Sequence, residues 1–138
     1  MLKAIRKGSA QWNGSGKEGK GTLTTDSKVL DQSKYSAGSR FDKDPGTNPE
    51  ELLAAAHAGC FSMKLAFVFQ GAGYTADSID TEAAVIFEDG IKEIQLKTRV
   101  KLSGVDQAKF IEMANDAKEN CPVSQLFKAN ITLDAQMV

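Results

Sequence analysis

His57 and Cys60 stand three residues apart in "HAGCFS", inside an otherwise apolar run, and a second cysteine, Cys121, lies in "ENCPVSQ". Four kinds of use fit such residues. Side chains at i and i+3 share one face of a helix, so His57 and Cys60 could ligate a metal. The chain offers only one more cysteine, no second histidine and no paired ligand motif, which counts against it. His57 could be the base of a Cys60 nucleophile, but enzymes of that kind draw the pair from separate elements, and no glycine-rich turn here offers an oxyanion hole. The residues could simply pack, the histidine among alanines with one nitrogen bonded and the thiol as a small hydrophobe. Finally, the cysteines could form a redox pair: one thiolate attacks a peroxide oxygen and becomes a sulfenic acid, and the other condenses with it to a disulfide. Cys121 suits the last use. It precedes a helix-starting proline at a chain reversal, where a thiol can be exposed and can feel the positive end of a helix. An activating cation is also needed, because a thiol of pKa about 8.5 is only a few per cent thiolate at neutral pH.

Several elements must hold these residues. "LKAIRKGSAQW" and "GKGTLTTD" read as a hairpin around "NGSGKEG", and "SAGSRF" as a further short strand ending at Phe41. "GTNPEE" starts a helix: Asn48 can cap, Pro49 fits the first helical position, and Glu50 and Glu51 favour the positive end of the dipole. The run that follows, to about Gln70, is apolar on nearly all sides, and "GAG" stops it. Such a helix in a small chain needs more cover than one sheet supplies, and a second subunit would provide it. "DTEAAVIFEDGIKEIQLKTRVKLS" predicts two strands, with Ile94, Leu96, Thr98, Val100 and Leu102 alternating as on a half-buried antiparallel sheet. An amphipathic helix then ends near Asn120, "CPVSQLF" begins a short helix or turn, and "ANITLDAQMV" closes as a strand.

At 138 residues the chain is long enough for one core, so residues 1–138 are read as one domain. A net charge of -1 leaves no basic field for nucleic acid or for an anionic membrane. "MLKAIRKGSAQW" lacks the apolar stretch of a secretory signal, and no run reads as membrane-spanning, which together predict a soluble cytoplasmic protein.

"GTNPEELLAAAHAGCFSMKLAF" and "ENCPVSQLFKANITLDAQ" resemble the OsmC/Ohr family of thiol-dependent peroxidases, and "YSAGSRFDKDPGTNPEELLAAAHAGCFS" is closer to the OsmC branch. The likeness extends over essentially the whole chain. It implies an α+β fold in which an intertwined homodimer wraps antiparallel sheets around long buried central helices. It also implies reduction of hydroperoxides, organic ones preferred, with Cys60 as the peroxidatic thiol and Cys121 as the resolving one. Arg40 in "SRF" matches the arginine of the OsmC branch, and Glu50 the acid of the motif. In the Ohr branch the arginine lies in the first hairpin, where this chain has Lys17 and Lys20, poor substitutes for a planar fork. No bound cofactor or metal is implied. Regeneration by an external dithiol, dihydrolipoamide or a thioredoxin-like donor, is. Apolar Leu53, Phe61 and Met63 would suit an organic tail.

Glu50 and Arg40 each have a plainer role available, as a first-turn helix acid and as a loop charge paired with Asp42 or Asp44. Helix rise constrains the alternative. Glu50 and Cys60 are ten residues apart, roughly 15 Å along one helix, so an effect of Glu50 on Cys60 has to come from a partner subunit whose helix runs antiparallel. The opposing class of function is a non-enzymatic, stress-associated dimeric binding domain whose cysteines only pack.

Overall fold

In chain order the elements are β1 (Gly8–Asn13), β2 (Lys20–Thr25), β3 (Ser33–Ser36), α1 (Ala37–Phe41), α2 (Pro49–Gly71), β4 (Ser78–Phe87), β5 (Ile91–Lys101), α3 (Gln107–Asn120), α4 (Pro122–Leu126) and β6 (Asn130–Met137). This computed structural model describes residues 2–138, and the fold is α+β. Two compact units divide the chain between Glu50 and Glu51.

In the first unit β1, β2 and β3 form an antiparallel meander. Gly21 sits at its centre, opposite Trp12 on one side and Tyr35 on the other. The two rings close over it with centroids 5.2 Å apart. A β-carbon at Gly21 would come within 2.5 Å of the Tyr35 ring, so only glycine lets the aromatic pair cover the sheet. The expected strand at "SAGSRF" is corrected: β3 ends at Ser36, and the residues to Phe41 are helical. Ser36 Oγ accepts from the Ser39 backbone N–H at 3.1 Å and Ser39 Oγ accepts from the Ser36 N–H at 2.8 Å, a reciprocal cap that turns the chain out of the sheet. The first strand is also shorter than read, because only Gly8–Asn13 finds partners on β2.

The second unit packs most of α2 with α3 and α4 on a sheet ordered β4, β5, β6. α2 is closed by Gly73, two residues past its last helical residue, whose φ of 89° is open to glycine. The Tyr74 N–H returns to the Phe69 carbonyl and the Gly73 N–H to that of Gln70, which together make a Schellman stop. β4 and β5 are joined through Glu88, Asp89 and Gly90, with positive φ at the last two. The sheet departs from the all-antiparallel expectation, because β6 joins β5 in parallel. The chain between β5 and β6 carries α3 and α4 over one face, and a crossover of that kind returns a strand in the same direction.

The core lies between α2, α3 and the inner face of β5: Phe61, Leu65, Phe69, Leu96, Val100, Phe110 and Met113 are buried. Polar groups beneath α2 are satisfied in a row, Ser62 Oγ donating to Thr81 Oγ1 at 2.7 Å and Thr81 meeting Thr98 at 2.9 Å. The other face of α2 is uncovered within the chain, with Met63 64% and Phe67 60% exposed beside Ala55, Ala56, Gly59 and Ala66. The helix is therefore not buried all round by its own chain. By length and composition it is also apolar enough to cross a membrane, contrary to the reading that no run is. Its row His57, Phe61, Leu65, Phe69 is nevertheless buried against protein, as in the core helix of a globular unit.

Leu65 is fully buried at the middle of that row. Leu65→Ala should lower unfolding stability by about 2–5 kcal/mol in urea titration with an unchanged slope. A loss below about 1 kcal/mol would mean the row does not form the core.

Candidate active site

Cys60 is half-buried on α2, one turn past His57, and Cys121 is fully buried at the junction of α3 and α4. The expectation of an exposed Cys121 is corrected. Its N–H donates to the Ala117 carbonyl, ending α3, and its carbonyl accepts from the Gln125 N–H, opening α4, with Pro122 at the first helical position. A residue that caps both helices is fixed at its backbone, and its side chain is turned onto α2 rather than to solvent. There Cys121 Sγ and Cys60 Sγ lie in hydrogen-bond contact at 2.9 Å, although 61 residues separate the two in sequence. Both thiols are free.

The surroundings hold Cys60 as a thiol. Burial raises its pKa above the ordinary value, and contact with the Cys121 thiol raises it further. A hydrogen bond from the Val123 backbone N–H and the Lys64 ammonium act in the opposite direction without reversing the shift. Among the described residues no group of three or more His, Cys, Asp and Glu is placed to hold a metal.

His57 is fully buried and Nε2 lies 2.7 Å from Ser124 Oγ of α4. The Phe127 ring meets it edge-on at 5.4 Å, and burial lowers its pKa, so the ring is neutral at pH 7. This arrangement is the packed histidine with one bonded nitrogen that was among the expected uses.

In the first unit, Arg40 and Glu50 form a two-pronged ion pair: Nε donates to Oε2 at 3.0 Å and the second terminal nitrogen lies 2.9 Å from Oε1. The fork geometry fixes the plane of the guanidinium, which a lysine could not do. α1 brings Arg40 to this partner, so the cap at Ser36 and Ser39 that overturned the expected strand is also what aims the arginine. A cleft of about 250 Å³ beside it is lined by Arg40, Trp12, Tyr35, Phe41 and Pro49. Of the apolar candidates, Leu53 is half-buried, Phe61 is fully buried in the core and Met63 is exposed, so the three do not share one surface of the chain.

Ser124, the Val123 N–H and the aromatic wall at Trp12 and Tyr35 were not singled out from the sequence. Only Pro122, as a helix start, signalled that the chain after Cys121 would point N–H groups back toward it.

A family model described as OsmC-like protein matches residues 41–136. The chain is 47% identical to "Peroxiredoxin OsmC" of Escherichia coli over 137 residues, 96% of each chain. It is 30% identical to "Organic hydroperoxide resistance protein OhrB" of Bacillus subtilis, over 85% of this chain and 88% of that one. The crystal structure of the Bacillus subtilis OhrB superposes with a TM-score of 0.64 at 26% identity, covering 96% of this chain and 98% of the other.

The Arg40 side chain keeps 35% of its surface exposed and that of Glu50 12%, so water screens the pair at its arginine end and its net contribution to stability should be modest. Glu50→Ala is expected to change urea stability by no more than about 1 kcal/mol. A loss of about 3 kcal/mol or more would mark a buried structural bridge instead of a device that orients Arg40.

Proposed function

The chain belongs to the OsmC-like family, and on that premise we propose that it is a thiol-dependent peroxidase that reduces organic hydroperoxides and, more weakly, hydrogen peroxide. The observation that carries the reading is the contact of Cys121 Sγ with Cys60 Sγ, two free thiols already at 2.9 Å. Cys60, the more accessible of the two, attacks the peroxide; the O–O bond breaks, an alcohol leaves and Cys60 becomes a sulfenic acid. Cys121 then displaces water from that sulfenic acid and the disulfide forms. An external dithiol, of dihydrolipoamide or thioredoxin type, returns both thiols. The names of the relatives, a peroxiredoxin and an organic hydroperoxide resistance protein, support the same substrate class.

The chain alone raises the pKa of Cys60, so attack at neutral pH requires a cation that lowers it. Arg40, oriented by Glu50, fits that requirement. Because Glu50 starts α2 and Cys60 lies ten residues along it, roughly 15 Å away by helix rise, the Arg40–Glu50 pair acts on the Cys60 of a second subunit. The uncovered apolar face of α2 around Met63 and Phe67 supports a homodimer with the two helices side by side. In this reading residues 1–138 work as one domain, active in the cytoplasm and not in a membrane. The aromatic cleft beside Arg40 offers apolar surface to an organic tail, and Phe61 supports α2 from within the core.

One equivalent of cumene hydroperoxide should consume two thiols per chain and give a monomer-sized band on non-reducing electrophoresis. Cys60→Ser should abolish this, and Cys121→Ser should allow one oxidation and then accumulate oxidised Cys60. No thiol loss in the wild-type chain would leave the non-enzymatic binding domain as the reading.

The shared site predicts complementation. Glu50→Ala homodimers, with Arg40 unanchored, should lose at least about tenfold in rate, and Cys60→Ser homodimers should be inactive. Co-refolded heterodimers should recover activity, because one of their two sites combines an intact Cys60 with an intact Glu50 from the other chain. Heterodimers that form without recovery would return Glu50 to the role of a first-turn helix acid.

A further inference from the structure

The fully buried row on α2 has a histidine at its head, His57, where Phe61, Leu65 and Phe69 supply apolar side chains. An imidazole in that place costs desolvation that a leucine would not, and only a specific contact offsets it. The contact is the one to Ser124 Oγ at 2.7 Å, itself in a residue only 7% exposed. His57 Nδ1 has no partner, so Nε2–H donating to Ser124 is the less costly tautomer, because it strands a lone pair and not an N–H.

The two ends of this bond are placed in step with the sulfurs. His57 precedes Cys60 by three residues on α2, and Ser124 follows Cys121 by three residues, inside α4. The same two elements are thus joined twice, once by sulfur and once by the buried hydrogen bond. α4 is only five residues long and cannot hold its own position by helix stability. Leu126 on its outer side is 75% exposed, so little apolar burial holds that end.

We propose that the His57–Ser124 hydrogen bond is a latch that holds α4 on α2 and thereby keeps Cys121 within reach of Cys60, making His57 and Ser124 positioning residues for disulfide closure. The inference rests on the peroxidase reading given above. Its consequence is a kinetic partition at Cys60. The sulfenic acid either condenses with the Cys121 thiol, releasing water, or meets a second hydroperoxide, which it reduces to the alcohol while becoming a sulfinic acid. Closure is independent of peroxide concentration and the second oxidation is proportional to it. The peroxide concentration at which half of the chains end overoxidised therefore measures the ratio of the two rates.

The test uses Ser124→Ala, which removes the hydroxyl and little volume, and Ser124→Thr, which keeps the hydroxyl. Reduced full-length protein is mixed with graded cumene hydroperoxide, and disulfide and sulfinic chains are counted by intact mass, with urea stability measured alongside. Ser124→Ala should lower the half-overoxidation concentration about fivefold, the change carried by one hydrogen bond of ordinary strength. Ser124→Thr should restore it to within about twofold of wild type, a rescue that follows from retained hydrogen bonding. If Ser124→Ala closes at the wild-type concentration while losing only stability, the contact is structural and the latch is overturned. If wild-type protein forms no disulfide at all, the peroxidase reading and the latch fall together.

Discussion

Two sulfurs in contact, one on α2 and one at the joint of α3 and α4, are the constraint around which the second unit is arranged. Cys121 can reach Cys60 only because its backbone belongs to two helices at once. α3 must end there, with its last N–H returned to Ala117, and α4 must begin there, with Pro122 in place. α3 in turn is held by Phe110, Met113 and Ala117 in the core shared with Phe61 and Leu65 of α2. The packing that gives the unit its stability is thus the packing that sets the sulfur separation, and a small relaxation in it acts directly on that distance.

The electrostatics point beyond the single chain. A half-buried thiol next to another thiol resists ionisation, and the pull of the Val123 N–H and Lys64 does not overcome it. A peroxidase built on Cys60 has to obtain its charge from elsewhere, and the first unit contains a guanidinium held flat by a two-pronged carboxylate. α2 is one unbroken helix, so Glu50 and Cys60 on the same copy stay apart by its rise. In the dimer we propose, the neutral thiol, the anchored arginine and the apolar helix face are accounted for together.

Much of this was legible because it is local. The start of α2 followed from Pro49 and the acids after it, its end from Gly73, and β5 from strict alternation. Arg40, Glu50, Cys60 and Cys121 stood out by residue type and by family motif, and the structure brings them together as two pairs. What escaped depends on partners distant in sequence or on competition between local signals. At "SAGSRF" a serine pair that caps its own turn outcompeted β propensity. The parallel pairing of β6 is a property of the crossover, invisible in the alternation of Ile131, Leu133, Ala135 and Met137. The burial of Cys121 and the bond between His57 and Ser124, 67 residues apart, arise only when α4 folds onto α2.

α2 shows why composition alone misleads at this site. Its residues are nearly all apolar, yet they serve different surroundings: a buried row on the core headed by His57, an outer face at Met63 and Phe67, and the two flanks of the row, where Cys60 on one side and Ser62 on the other each find a specific partner. Hydropathy averages these together and returns something like a membrane span. The partners separate them again, since Ser124, Thr81 and Cys121 lie on three different elements, and each can be met only in one rotation of the helix. An all-leucine helix could slide or turn against the sheet at little cost. One with three fixed polar contacts cannot, and the sulfur of Cys60 is thereby held against that of Cys121.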